Sequence, residues 1–161
     1  MGFSSLWLSW IEATIFSSHM SVLVNESPTK EFAVGRGVRQ GDPLSPLSFV
    51  ILVEGISGLM RKAKEVREFR GFMINGRSKV EMLQFVDDTL IIGEGNWSNV
   101  WAIKVILRGF ELVSGMEVNF NKSRVIRINL SNHFLNSTAN ILSCRVENKY
   151  FSFLGIPIGA N

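Results

Sequence analysis

The sequence has very little cysteine, isolated histidines and no long apolar run. Cys144 is the single cysteine among 161 residues, so no internal disulfide partner exists and a reducing intracellular compartment is the expected environment. No stretch approaches the roughly 18 uninterrupted apolar residues of a membrane span, and the apolar N-terminal residues lack the basic region and cleavage site of a signal peptide. His19 and His133 stand alone and suggest no metal cluster. These absences predict a chain with no disulfide partner and no membrane partner.

Composition is typical of an ordinary folded domain. Hydrophobic residues make up 46% and charged residues 19% of the chain, which argues against disorder. The length predicts one domain with a single core. The net charge of +3 and the sequence pI of about 9.3 are mildly basic and compatible with a phosphate-rich partner.

Helical and extended patterns mix without regular alternation, which predicts the α+β class. Apolar spacings of three and four residues, with capping signals, predict helices over 4–18, 45–64, 96–115 and, more weakly, 132–143. Alternating and β-branched segments predict strands over 21–25, 30–34, 72–74, 80–86, 89–92, 118–120, 125–128 and 151–159. Turns are predicted at 26–29 and at the two-residue hairpin signal Asn75–Gly76. Helical spacing also predicts core packing for the tryptophans Trp7, Trp10, Trp97 and Trp101.

Asp87 and Asp88 interrupt an apolar, β-rich run. Unpaired carboxylates on a partly buried strand cost several kcal/mol, so either a turn keeps them hydrated or a cation neutralises them. In a tight hairpin turn both carboxylates can reach one site. Mg²⁺ prefers oxygen ligands and commonly uses one or two carboxylates together with substrate phosphates. On their own, the two residues fit an exposed turn and a metal site about equally well.

Four motifs in a consistent order resemble those of a known family. The loop 37–46, Gly-Val-Arg-Gln-Gly-Asp-Pro-Leu-Ser-Pro, followed by Phe49, is similar to motif B of reverse transcriptases, and Phe85–Asp88 is similar to motif C, their aromatic-x-Asp-Asp turn. Residues 114–123 resemble motif D, and residues 153–159 resemble motif E. Together the motifs span nearly the whole chain. The closest resemblance is to the LINE-type, non-LTR retrotransposons that abound in plant genomes.

The resemblance implies an RNA-directed DNA polymerase palm, an antiparallel sheet with packed helices, that uses two Mg²⁺ ions. It implies that Asp87 and Asp88 bind metal, with Asp87 the direct ligand, and that Lys122 acts near the leaving phosphates. Contacts to nucleotide and template are implied for Arg39, Gln40, Gly41 and Pro43. A grip on the primer is implied for Leu154 and Gly155. The implied partners are an RNA template, a DNA primer and a deoxynucleotide, and a nuclear location is compatible with a LINE-type element.

Departures from the family pattern bear on activity. Val86 stands where motif C commonly has alanine or methionine, and Phe153 stands where motif E usually begins with tyrosine. The aspartate of motif A is expected before the helix that carries Trp7. Residues 1–161 are therefore expected to be a partial domain with motifs B to E, without most of the fingers and the thumb, and inactive alone. Two alternatives stay open: a non-catalytic nucleic-acid-binding remnant, and a small structural protein in which Asp87–Asp88 is only a turn.

Overall fold

The computed structural model describes residues 2–16, 19–33, 41, 43–126, 128–147 and 150–159. The chain divides into two units, residues 1–49 and 50–161. Each is described by itself.

The first unit begins with helix α1, Ser5–Ile11. Its N-cap is Ser4, whose hydroxyl accepts a hydrogen bond from the backbone N–H of Trp7 at 3.2 Å, and a π-helical segment, Glu12–Phe16, continues it. Capping of this kind satisfies a backbone donor that has no partner inside the helix. The predicted helix over 4–18 is confirmed as far as residue 16, and residues 17 and 18 lie outside the described part.

Two short antiparallel pairs follow in the first unit. Strand β2, Leu23–Val24, pairs with β3, Ser27–Pro28, and β1, His19–Met20, pairs with β4, Phe32–Ala33. The turn is therefore at Asn25–Glu26, where φ is 49° and 66°. The prediction of a turn at 26–29 is confirmed at Glu26 and was wrong for Ser27–Pro28, which form β3. Asparagine tolerates the left-handed region, so the turn forms at Asn25 and not at Pro28, which lies in β3.

Helix α2, Ser45–Glu65, confirms the helix predicted from Ser45–Pro46. Proline fits the first turn because its missing N–H has no partner there. Lys62 and Lys64 lie in the last turn, where the helix dipole favours cations.

The second unit is built around residues 50–65 of α2 and helix α3, Trp97–Ser114. Asn96 caps α3 by accepting a hydrogen bond from the N–H of Asn99 at 2.8 Å, and Gly115 ends the helix at φ 68°, as predicted. The core cluster consists of Ile56, Met60, Phe69, Ala102, Ile106 and Phe110.

Strands β5, Phe72–Ile74, and β6, Ser78–Val80, form an antiparallel pair. The connecting turn has three residues, 75–77, because Ile74 pairs with Ser78 and the N–H of Arg77 binds the carbonyl of Ile74 at 3.2 Å. The two-residue hairpin predicted here was wrong by one residue. The strand predicted over 80–86 also divides: β6 ends at Val80, and β7, Met82–Phe85, begins the next hairpin with β8, Asp88–Ile91.

The last third of the second unit contains helix α4, Asn132–Leu142, which confirms the weaker helix prediction. Strands β9, Arg124–Val125, and β10, Arg145–Val146, are parallel. Strands β11, Tyr150–Phe153, and β12, Ile156–Gly159, form an antiparallel hairpin where one extended segment was predicted. The strand predicted over 118–120 is absent from the described structure, since these residues form a loop.

The mixture of helices and small, mostly antiparallel strand pairs confirms the α+β class. Core packing of the tryptophans was wrong for Trp10, Trp97 and Trp101, which are 60%, 43% and 56% exposed. Helical spacing places side chains on one face, but only a neighbouring element buries that face. Within the described ranges, no helix is long and apolar enough to cross a membrane.

Candidate active site

The aspartate pair lies at the tip of the β7–β8 hairpin. Phe85 pairs with Asp88, so Val86 and Asp87 form a two-residue turn. The backbone N–H of Ile92 donates to the carbonyl of Glu81 at 2.8 Å and extends the ladder beyond the strands. The predicted interruption of the strand is therefore a tight hairpin turn that contains Asp87, and Asp88 is the first residue of β8.

The other end of the hairpin is held by the core of the second unit. Met82 and Ile91 face each other across the strands, and both pack against the core cluster. Between them and the turn, the side-chain amide of Gln84 donates to the hydroxyl of Thr89 at 3.3 Å. Apolar contacts therefore fix the base of the hairpin, while its tip is exposed to solvent.

Val86 has an unusual backbone conformation. Its φ is +50°, in the left-handed region that β-branched residues rarely adopt because Cβ crowds the following carbonyl. Its side chain does not compensate by burial, since Val86 is 59% exposed. The turn that presents the aspartates therefore stores backbone strain.

Both aspartate side chains are open to solvent. Asp87 and Asp88 are exposed, and neither carboxylate has a hydrogen-bond or ion-pair partner among the residues that the structure describes. Oxygen donors without competing partners fit a hard cation such as Mg²⁺. Within the described ranges no group of three or more histidine, cysteine or acidic side chains is placed to hold a metal. The hairpin itself supplies two carboxylates.

Lys122 lies in a turn between α3 and β9. Its backbone N–H is bound to the carbonyl oxygen of Asn119 at 3.1 Å and to the Oδ1 of Asn119 at 3.0 Å. The exposed ammonium group makes no hydrogen bond or ion pair with Asp87 or Asp88 in the described structure. Motifs C and D thus occupy two separate turns of the second unit.

The remaining predicted site residues belong to motifs B and E. Arg39 and Gln40 lie outside the described residues. Gly41 has φ +86°, and a Cβ added to it would meet nothing within 4 Å; like Pro43 it belongs to the first unit and is exposed. Leu154 and Gly155 form the exposed β11–β12 turn at φ 53° and 78°.

Two polar residues that connect segments of the second unit were not predicted. Asn99 is 2% exposed; its Oδ1 accepts from the N–H of Arg70 at 2.8 Å, and its Nδ2 donates to the carbonyls of Arg70 and Glu94 at 2.7 and 2.9 Å. It joins the start of α3 to the segments before β5 and after β8. Nothing in the local pattern separates this asparagine from an ordinary residue of a first helical turn.

Glu111 is the second missed residue. Its carboxylate accepts from the N–H of Val118 at 2.9 Å and from the guanidinium of Arg108 at 2.7 Å. Burial raises the pKa of Glu111, but these two hydrogen bonds and the charge of Arg108 outweigh burial and leave the pKa below its usual value. The sequence did contain a signal for Glu111: an acidic residue in the last turn of a predicted helix, where the helix dipole disfavours negative charge, indicates that another group stabilises it.

Comparisons with known proteins support the family resemblance that the motifs predict. The profile of the family described as reverse transcriptase (RNA-dependent DNA polymerase) matches residues 1–158. An uncharacterized mitochondrial protein of Arabidopsis thaliana is 31% identical over 112 residues, which cover 66% of this chain and 88% of that protein. A retrovirus-related Pol polyprotein from the type-1 retrotransposable element R2 of Popillia japonica is 27% identical over 121 residues, 74% of this chain and 16% of the polyprotein.

The match across almost the whole chain decides the class. The chain belongs to the reverse transcriptase (RNA-dependent DNA polymerase) family. Its likeness to a retrotransposon polyprotein confirms the predicted resemblance to a reverse-transcriptase segment of non-LTR type. The chain spans less than a fifth of that polyprotein, 16% of its length.

Proposed function

We propose that residues 1–161 are part of the palm of an RNA-directed DNA polymerase, and that the β7–β8 turn binds catalytic Mg²⁺. The observation that carries the proposal is the pair of exposed carboxylates of Asp87 and Asp88, which have no partner among the described residues and lie at the tip of a hairpin whose base is packed into the core. Family membership supplies the reaction, the addition of a deoxynucleotide to a primer on an RNA template.

In this proposal Asp87 is the direct metal ligand and Asp88 supports it. Bound Mg²⁺ would stabilise negative charge on the attacking and leaving oxygens of nucleotidyl transfer. The contribution of the hairpin is to hold both carboxylates in place, because positioning and electrostatics supply most of the rate in phosphoryl transfer. The packing of Met82 and Ile91 against the core supports that role.

The remaining motif residues would bind substrates. Lys122 has an exposed ammonium group suited to the negative charge of the leaving phosphates. Gly41 permits close approach of backbone to a base pair, since it lacks a Cβ, and Arg39, Gln40 and Pro43 would share that role. A primer strand would lie on the Leu154–Gly155 turn.

We expect no primer extension from the 161-residue polypeptide. These residues contain the two motif C carboxylates but not the third, which the family resemblance assigns to motif A. A longer chain that supplies the third aspartate should extend a DNA primer on RNA with Mg²⁺. In that longer chain Asp87→Asn should lower kcat by at least about a hundredfold, the range found when a group that stabilises developing charge is removed.

The matched control is Glu54→Gln, an exposed acid on α2 whose only described partner is Arg61 at 3.3 Å. It should leave extension unchanged. Extension by the 161-residue polypeptide, or full activity of Asp87→Asn, would contradict the proposal.

A second candidate is a nucleic-acid-binding remnant without catalysis, which the net charge of +3 favours. Binding of RNA or DNA that weakens with salt and is unchanged by Asp87→Asn, in a longer chain that remains inactive, would favour this alternative.

A further inference from the structure

The loop 115–123 joins α3 to β9 and carries Lys122. It contains no helix or strand, so its position depends on contacts with other parts of the chain. Glu111, one turn before the helix ends, binds this loop at two points. Its backbone carbonyl accepts from the N–H of Gly115 at 3.0 Å, and its carboxylate accepts from the N–H of Val118 at 2.9 Å.

The carboxylate of Glu111 is itself fixed. Its second oxygen accepts from Nη1 of Arg108 at 2.7 Å, and its side chain is 13% exposed while that of Arg108 is 52% exposed. A largely buried carboxylate with both oxygens hydrogen-bonded makes stronger contacts than a neutral acceptor. The link from α3 to Val118 is therefore among the firmest polar contacts of the loop.

Phe120 provides a second attachment to the same helix. Nζ of Lys104 lies 5.4 Å and Cζ of Arg108 4.9 Å from the centroid of its ring, both within the range of cation–π attraction. Lys104, Arg108 and Glu111 share one helix face because they are spaced by four and three residues. One face of α3 thus holds the loop through Val118 and through Phe120.

From Phe120 the chain reaches Lys122 through a closed turn. The carbonyl of Asn119 accepts from the N–H groups of Lys122 and Ser123 at 3.1 and 3.0 Å, and from the hydroxyl of Ser123 at 2.9 Å. The backbone of Lys122 is therefore tied to a segment that α3 already holds. Helix α3 also belongs to the core against which the base of the β7–β8 hairpin packs.

We infer that Glu111 is a positioning residue for Lys122: with Arg108 and Phe120 it docks the loop on α3 and so sets the place of the lysine relative to the aspartate hairpin. Glu111 touches neither substrate nor metal in this role. The inference rests on the proposed function only where it assigns Lys122 to the leaving phosphates. The docking of the loop can be tested without any activity.

Amide hydrogen exchange of the 161-residue chain tests the docking. Glu111→Ala should speed exchange at Val118 roughly ten- to a hundredfold, because a charge-assisted hydrogen bond is lost. Glu111→Gln should restore much of the protection, since its side-chain carbonyl still accepts from the same N–H. The control is Glu65→Ala in the last turn of α2, an acid that pairs with Lys62 at 3.2 Å and is 60% exposed, which should change exchange at Val118 less than about twofold.

A double-mutant cycle in a longer, active chain tests the consequence. As a single substitution, Glu111→Ala should lower the rate of nucleotide addition. It should have no further effect when Lys122 is already alanine, because the effects of coupled residues are not additive.

If the longer chain is inactive, the proposed function fails, while exchange at Val118 still tests the docking of the loop. Should Glu111→Ala unfold the chain, Phe120→Leu removes the cation–π contacts while keeping an apolar side chain, and it should raise exchange across 118–122. Unchanged exchange at Val118 in Glu111→Ala, equal changes in the control, or additive activity losses would overturn the inference.

Discussion

We expect the substitution Val86→Asn to relieve backbone strain in the turn that carries the aspartates. Val86 lies at φ +50°, and an L-residue in the left-handed region costs about 1–2 kcal/mol. Asparagine tolerates this region because its short polar side chain can hydrogen-bond locally. The backbone gain should therefore be about 1 kcal/mol.

The effect of the side-chain change itself must be subtracted, which requires a control valine that is about as exposed as Val86, at 59%. Val105 on α3 offers a matched control: it is 68% exposed, has no left-handed backbone conformation, and valine and asparagine have similar helix propensities. The free energy of unfolding of Val86→Asn should exceed that of Val105→Asn by about 1 kcal/mol. For a chain of this length the difference corresponds to about 3 °C in Tm.

Urea unfolding of both variants, followed by circular dichroism, measures the difference if the slopes m are equal. Val86→Gly supplies a second measurement, since glycine also accepts the conformation but loses about 0.5–1 kcal/mol through the freedom of the unfolded chain. Equal stabilities of the Val86→Asn and Val105→Asn variants would refute the reasoning, because they would mean that the turn is not strained at this residue.

Three further substitutions test the packing around the site. Asn99→Ala should destabilise the chain by about 3 kcal/mol in urea unfolding, since three backbone groups lose their partner. Its control is Asn136→Ala at an exposed position of α4, which should change stability by less than about 0.5 kcal/mol. Gly93→Ala should lower the free energy of unfolding by about 1–3 kcal/mol, because the added Cβ would lie 2.8 Å from Nδ2 of Asn99 and 3.1 Å from the carbonyl oxygen of Arg70. Its control is Gly109→Ala, whose Cβ would meet no atom closer than 4.0 Å and which should stabilise α3 by about 1 kcal/mol. Glu111 has a lowered pKa when folded, so its contribution to stability is present above the unfolded carboxyl pKa of about 4.3 and is lost as the pH falls through the lower, folded pKa. The stability difference between the native chain and Glu111→Gln should therefore shrink between pH 6 and pH 3.

Contrary results would have clear meanings. Equal losses for the two asparagine variants would show that the buried hydrogen bonds contribute little. A neutral Gly93→Ala would show that the segment after β8 can move to accommodate a methyl group. If the difference in free energy of unfolding between the native chain and Glu111→Gln stays constant from pH 6 to pH 3, the negative charge of Glu111 does not stabilise the loop.

Local chemistry in the sequence was sufficient for several elements. Helix α3 is bounded by an asparagine cap and a glycine terminator, and α2 begins beside a proline; these signals act within one turn of the chain and depend on no distant contact. The family could also be predicted, because motifs B and C carry their chemistry in a few adjacent residues. The interruption of the strand near Asp87 was predictable for the same reason, because two adjacent charges break an apolar run.

Contacts between distant residues decided the rest. The loop at Val118 has a β-rich sequence, but its backbone N–H is bound by the Glu111 side chain seven residues away, so no strand forms there. Likewise Trp101 has helical spacing and yet is 56% exposed, because burial requires a second element on that face. The strain at Val86 and the docking of the loop 115–123 on α3 likewise depend on the contacts of the folded hairpin and loop. A single residue's propensity is worth a few tenths of a kcal/mol to about 1 kcal/mol, and the packing and hydrogen bonds of the folded chain exceed it.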